Sequence, residues 1–173
     1  MNNNSRLLEI VSLSKSYCDV CQEAVQYTKG EFIDRILDLL PRLYWNFFDL
    51  SAGISLGESD YFMEYVDEEL YNQVKNGISV VMGGSDIFLE TFEEDMKYSD
   101  TPISSSISEC LADIFQPLFN FVSIVHDSEG NDLNEAYIKC KSDFEIYWSQ
   151  TLCNVLRALN SLKYNEDNEE ETW

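Results

Sequence analysis

A chain of 173 residues that is 45% hydrophobic and 13% aromatic is long enough for one buried core and too short for two comfortable domains, and its apolar content excludes disorder despite a net charge of −21. Eleven Lys and Arg against thirty-two Asp and Glu leave no basic cluster of the kind that contacts phosphate, which speaks against direct nucleic-acid binding and against attachment to an anionic membrane. Seven Gly and three Pro supply too few turns for an all-β sandwich.

At the start, Met1 to Arg6 has no basic region followed by a long apolar run, so no secretory signal is expected. No uninterrupted apolar stretch is long enough for a membrane span. Leu7, Ile10, Val11, Ser14, Cys18, Cys21 and Val25 recur at three and four, which predicts an amphipathic helix over about residues 5–27. Thr28 and Glu31 match a capping box and announce a second helix, with Phe32, Ile33, Ile36, Leu40, Leu43 and Phe47 on its apolar face. Pro41 lies inside that run and should kink it or end it early. Ser51 to Ser59, with Gly53 and Gly57, reads as a loop.

Asp67 is a plausible N-cap for a helix through Tyr71, Val74, Ile78 and Val81, and Gly83-Gly84 should stop it. Asp86 to Met96 suits a short helix carrying Ile87, Leu89 and Phe92, and Tyr98 to Pro102 a turn or extended link. Ser106 and Glu109 form a second capping pattern. The helix behind it places Ile107, Leu111, Ile114, Leu118, Phe121 and Val125 on one face, with Pro117 expected to bend it. After a turn at Asp127 to Asn131, Asp132 and Glu135 open the longest helix, to about Lys163. Its predicted seam is Leu133, Tyr137, Cys140, Phe144, Tyr147, Thr151, Val155, Ala158 and Leu162, close to a heptad. The expected organisation is one all-α domain over residues 1–163, a bundle of five or six helices around that long C-terminal helix. Residues 164–173 read as an acidic tail of frayed or disordered composition, ending on a Trp173 able to dock.

Cys18-Asp19-Val20-Cys21 has the spacing of a redox or zinc pair. It lies in mid-helix on the apolar face, however, and Cys110, Cys140 and Cys153 supply no second pair at zinc spacing, so buried structural thiols are the better reading. Five cysteines without framework spacing or an export signal point to reduced thiols in the cytoplasm. His126 is the sole histidine, so any triad or multi-histidine metal site would depend on it; near a helix C-terminus it is better read as a helix-end residue. No phosphate-binding glycine loop is present.

The charge is concentrated. Residues 58–113 hold fourteen carboxylates against Lys75 and Lys97, while 1–57 and 114–163 are each nearly neutral. Glu109, Asp113, Gln116 and Asn120 form a polar stripe on one helix, and Glu90, Glu93 and Glu94 precede it. Helices presenting carboxylates one turn apart can hold Mg²⁺, which takes oxygen ligands. Glu90, Glu94, Glu109 and Asp113 are the candidate ligands. All-α nucleoside triphosphate pyrophosphohydrolases use Glu-x-x-Glu and then Glu-x-x-Asp. Glu90 and Glu93 match the first element, but Glu109 and Asp113 are four apart, so the second is broken. Helix-end capping accounts for Glu109 equally well. Tyr61, Tyr65, Asp67, Glu68, Glu69, Tyr98 and Asp100 make the candidate interaction surface, since tyrosine interleaved with acids suits a basic partner.

Tyr98-Ser99-Asp100-Thr101-Pro102 with Ser106 to Gln116, whose core reads Ile-x-Glu-x-Leu-Ala-Asp-Ile, and the segments Asp60-Tyr61-Phe62 and Tyr65 to Glu69, resemble an uncharacterised bacterial family of helical proteins, the domain of unknown function 5063. The resemblance covers roughly residues 10–160. In that family an acid often stands where this chain has Cys110 and Pro117, so the chain departs there. The resemblance implies an all-helical cytosolic protein and supplies no catalytic residues.

Three functions are open at this level. The leading one is an interaction or regulatory module, without catalysis or cofactor, that presents an acidic, tyrosine-bearing face to a basic protein. The second is a Mg²⁺-dependent hydrolase of nucleotides or phosphates, in which the ion would polarise the phosphate. The third is a DNA mimic, which needs carboxylates spaced like phosphates on one face. The position of Glu109 and Asp113, in a cleft or on open surface, bears most directly on the choice.

Overall fold

The three-and-four periodicity folds as helix nearly throughout. The computed structural model describes residues 3–50, 63–90 and 103–165. Helix α1 (Asn3–Gln22) ends in a 3₁₀ turn at Ala24–Gln26, so the first helix is shorter than its apolar spacing predicts. Helix α2 (Lys29–Asp49) starts at the capping box. The Thr28 backbone N–H donates to Glu31 Oε2 at 2.9 Å, and the Glu31 N–H donates to Thr28 Oγ1 at 3.3 Å. Helix α3 (Glu68–Met82) is capped by Asp67, whose Oδ1 accepts the Leu70 N–H at 2.8 Å. Such a cap is worth about 1 kcal/mol. Gly83, at φ +55°, ends α3 in the left-handed region that glycine adopts without steric cost.

The next segment corrects the sequence expectation. No helix begins at Asp86. A 3₁₀ turn, Gly83–Asp86, leads into β1 (Ile87–Leu89), which pairs antiparallel with β2 (Ser104–Ser106) in the register Ile87 to Ser106, Phe88 to Ser105 and Leu89 to Ser104. Asp86 explains the switch. Its buried carboxylate accepts the Ser108 backbone N–H at 2.8 Å and the Ser108 hydroxyl at 2.7 Å, which ties the chain to the start of the next helix. Continuing as helix would forfeit that anchor and the pairing with β2. Residues 91–96 of the expected helix lie outside the described residues.

Helix α4 (Ile107–Asp127) is capped by Ser106 Oγ, which accepts the Glu109 N–H at 3.1 Å; this is one half of the expected capping box. Helices α5 (Leu133–Asp143) and α6 (Ser149–Asn165) flank a π-helical turn at Phe144–Trp148, and the backbone keeps helical dihedrals at both junctions. The three pieces form the long C-terminal helix of a five-helix bundle. The π turn shifts the seam. Phe144 is followed in the core by Trp148 and Leu152, not by Tyr147 and Thr151, because a wider turn inserts one residue into the repeat. Trp148 fills the space gained, 4.9 Å from the Phe47 ring and 4.6 Å from the Phe144 ring, and its indole N–H donates to the Cys140 carbonyl at 3.3 Å.

The hub is α4 rather than the C-terminal helix, since α4 packs on α1, α3, α5 and α6. Ile107, Leu111, Ile114, Phe115, Leu118 and Phe121 are almost wholly buried. A helix that is apolar on most of its circumference must be covered on most sides. Each such side chain contributes about 1.5–3 kcal/mol on burial. Tyr17 of α1 is also buried and donates its hydroxyl to the Leu111 carbonyl at 2.9 Å. Pro41 and Pro117 do not end their helices: α2 and α4 run through them. Each proline withholds one N–H, so the Leu37 and Asp113 carbonyls lose their ordinary helical donors. No helix among the described residues is long and apolar enough to cross a membrane.

Candidate functional site

The polar stripe of α4 is a rail on which the start of α3 is mounted. Asn120 Oδ1 accepts two backbone N–H groups, from Tyr65 at 2.8 Å and from Val66 at 3.2 Å. One turn pair earlier, Asp113 Oδ1 accepts the Tyr71 hydroxyl at 2.7 Å. One turn pair later, Asp127 Oδ2 accepts the Tyr65 hydroxyl at 2.8 Å. Positions 113, 120 and 127 are seven apart, so they fall on one face of α4.

The two carboxylates on the rail differ in surroundings. Asp113 is half-buried, and burial pushes its carboxyl above the usual range; neighbouring Glu109 adds to this, while the Tyr71 hydrogen bond and Lys75 oppose it. Asp127 is exposed, and its hydrogen bonds from Tyr65 and His126 hold its carboxyl below the usual range. Burial and the Asp113 bond push the Tyr71 phenol well up. Lys75 sits over the Tyr71 ring, 5.8 Å from its centroid.

Around this frame Glu64, Asp67, Glu68 and Glu69 are exposed, and the turn after α4 adds Glu129 and Asp132. Among the described residues none of Glu64, Glu68 and Glu69 is in an ion pair, whereas Asp19, Asp34, Asp38, Asp49, Asp143 and Glu145, on the other helices, each pair with a Lys or Arg.

The sequence candidates are thus sorted by place. Of the interaction surface, Glu68 and Glu69 are exposed, Asp67 is exposed and caps α3, and Tyr65 is half-buried with its hydroxyl engaged on Asp127. Tyr61, Tyr98 and Asp100 lie outside the described residues. Of the proposed Mg²⁺ ligands, Glu109 is exposed on the first turn of α4 and Asp113 is held by Tyr71. Glu90 is buried and accepts the Asn154 amide at 2.9 Å; Asn154 in turn accepts from Gln150 at 3.2 Å. Glu94 lies outside the described residues, and among those described no group of three or more His, Cys, Asp or Glu is placed to hold a metal ion.

Cys18 and Cys21 are buried free thiols, and burial pushes the Cys21 thiol up to about 12, which makes the pair a poor nucleophile. His126 is exposed at the end of α4, its Nδ1 3.1 Å from Asp127. Sequence reasoning placed Asp127 in a turn and missed its role; the seven-residue spacing from Asp113 through Asn120 is the one signal that could have found it.

The sequence profile described as Domain of unknown function (DUF5063) matches residues 2–165, so the chain belongs to that family. The fold is similar to the crystal structure of protein BF1032 from Bacteroides fragilis, with a TM-score of 0.80 and 27% sequence identity over 92% of this chain and 93% of that one. No curated protein matches the chain.

Proposed function

We propose that the protein is an interaction module whose acidic face, formed by the start of α3 and the end of α4, binds a Lys/Arg-rich segment of a partner protein. The observation that carries this reading is the grouping of exposed, unpaired acids: Glu64, Glu68 and Glu69 fall within six residues at the start of α3 and none is in an ion pair among the described residues, whereas Asp19, Asp34, Asp38, Asp49, Asp143 and Glu145 pair with a Lys or Arg and the exposed Glu9, Glu23 and Glu135 are scattered along the chain. Unpaired charges on one face repel one another and cost folding stability, and a cationic partner relieves that repulsion. The tyrosines serve the face differently from the sequence expectation. Tyr65 and Tyr71 spend their hydroxyls on Asp127 and Asp113, so they fix the acids in place rather than reach for the partner. A face held rigid loses less entropy on binding. Opposite charge then speeds and orients the encounter more than it adds affinity.

The test is binding of a Lys/Arg-rich peptide to the full chain, compared with two triple charge reversals of equal net charge. Reversing Glu64, Glu68 and Glu69 to Lys should weaken binding about tenfold or more at low salt, an effect that fades as salt screens the face. Reversing Glu9, Glu23 and Glu135, which are exposed elsewhere, should change it about twofold or less. Equal losses from the two sets would mean that the peptide reads net charge, and the assignment to this face would fail.

A further inference from the structure

Helices α2 and α6 pack on each other and leave an apolar groove of about 490 Å³ between them, walled by Leu37 and Pro41 from α2 and by Cys153, Leu156 and Tyr164 from α6. On α2 the wall does not stop at Pro41. Leu37, Pro41, Tyr44 and Phe48 recur at four, three and four, so they form one stripe along the helix. Phe48 is stacked on Tyr44 with ring centroids 6.3 Å apart, and Trp45 lies beside them, its ring 6.1 Å from that of Phe48. A stripe of this spacing is the kind that meets another helix. Yet Pro41, Trp45 and Phe48 are exposed.

Charge and area identify what covers this face. Helices α2 and α6 together carry five Lys and Arg against four Asp and Glu, in a chain with eleven against thirty-two. Acids close to the stripe are neutralised within the fold: Asp38 pairs with Arg42 at 2.9 Å, Asp34 with Lys163 at 2.7 Å, and Asp49 with Arg6. Two copies of so acidic a chain repel one another, but a side with this balance lets them approach with little of that cost. Trp45, Phe48 and Tyr164 are 59%, 60% and 63% exposed and so leave roughly 300–450 Å² of aromatic surface open. A stable interface takes roughly 800 Å² from each partner, and its centre is rich in aromatic rings and poor in charge. We propose that the partner is a second copy of this chain. Two α2–α6 faces pack about a two-fold axis, and Trp45 and Phe48 of each copy cover the groove of the other. Such an interface is self-complementary and closes at two. The acids at the start of α3 and the end of α4 take no part in it.

The experiment is sedimentation velocity of the full chain between low and high micromolar concentration, where the wild type should sediment as a dimer. Trp45→Asp puts a charge at the centre of the interface without touching the core, since the side chain is exposed, and should weaken association about thirtyfold or more. Phe48→Asp should do the same, and it decides the matter if Trp45→Asp misfolds. Val80→Asp adds the same charge on the exposed face of α3 and should leave association within about twofold of wild type. Added salt should strengthen the dimer, because it screens the repulsion between two acidic chains, whereas it weakens binding of a basic peptide to the acidic face. A chain that stays monomeric over the whole range overturns the proposal. So do equal losses from Val80→Asp and Trp45→Asp. So does a dimer that salt dissociates, which would assign the contact to the acids of one copy against the bases of the other.

Discussion

The two sides of this bundle handle charge in different ways. On the side of α1, α2 and the C-terminal helix, Lys15 meets Asp19 at 2.6 Å, Arg42 meets Asp38 at 2.9 Å and Lys163 meets Asp34 at 2.7 Å, and an aromatic cluster of Phe47, Phe144 and Trp148 lies behind. On the α3–α4 side, Asp113 and Asp127 accept from tyrosine hydroxyls, and the exposed Glu64, Glu68 and Glu69 are left without ion pairs among the described residues. An exposed ion pair is worth about 0–1 kcal/mol, so the first side does not owe its stability to its pairs. It rests on packing. The second side adds a few directed hydrogen bonds to the packing of α3, through Val74, Ile78 and Met82, on the bundle. The difference teaches that exposed acids need no cation where a helix start favours them: Glu68 and Glu69 lie in the first turn of α3, at the positive end of its dipole.

If packing carries the first side, its largest single loss is at the π turn. Trp148→Ala removes a wholly buried indole between Phe47 and Phe144 and should destabilise the protein by about 3–5 kcal/mol, read as a lower denaturation midpoint. A loss under about 1 kcal/mol would break the contrast, because it would mean that the cluster relaxes around the gap.

If directed bonds carry the second side, Asn120 is its keystone. Asn120→Ala deprives the Tyr65 and Val66 N–H groups of their common acceptor and should cost about 2–3 kcal/mol. Hydrogen exchange at Tyr65, Val66 and the first turn of α3 should speed up more than exchange in α1 or α6. Uniform acceleration would show that the rail is only part of the general fold.

Most of the bundle is legible from the periodicity of Leu, Ile and Phe, since burial of one helix face repeats every three or four residues. The N-caps at Thr28, Asp67 and Ser106 are legible for the same local reason. What escaped is non-local. The Ile87–Leu89 strand depends on Ser104–Ser106, a partner fifteen or more residues away, and on Asp86 reaching Ser108. The shift from Tyr147 to Trp148 depends on how much room Phe47 leaves in the core. The candidate site divides the same way. Exposed Glu68 and Glu69 follow from their place on the helix, but the pairing of Tyr65 with Asp127 and of Tyr71 with Asp113 spans 62 and 42 residues and has no local signal.

The smallest expected effect separates two acids on one rail. Asp113 has a raised carboxyl, so the folded state binds its proton more tightly than the unfolded state does, and the stability this supplies is present below the ordinary value of 3.8 and lost as pH rises through the raised folded value. Asp127 has a lowered carboxyl, so its contribution is present above 3.8 and lost as pH falls through the lowered folded value. Tyr71→Phe removes the bond that opposes the rise at Asp113 and leaves a half-buried carboxylate without that donor. The variant should lose about 1–2 kcal/mol near neutral pH and less as pH falls through the raised folded value and the carboxyl takes up its proton. Tyr65→Phe acts on exposed Asp127 and should move that carboxyl back toward its ordinary value with little change in stability. Carbon-detected NMR titration of the two carboxyl groups reads both shifts, and the variants should move them in the same direction, upward, from opposite sides of the ordinary value. A Tyr71→Phe protein whose Asp113 titrates lower than in the wild type would show that burial, rather than the tyrosine, is what changes at this position.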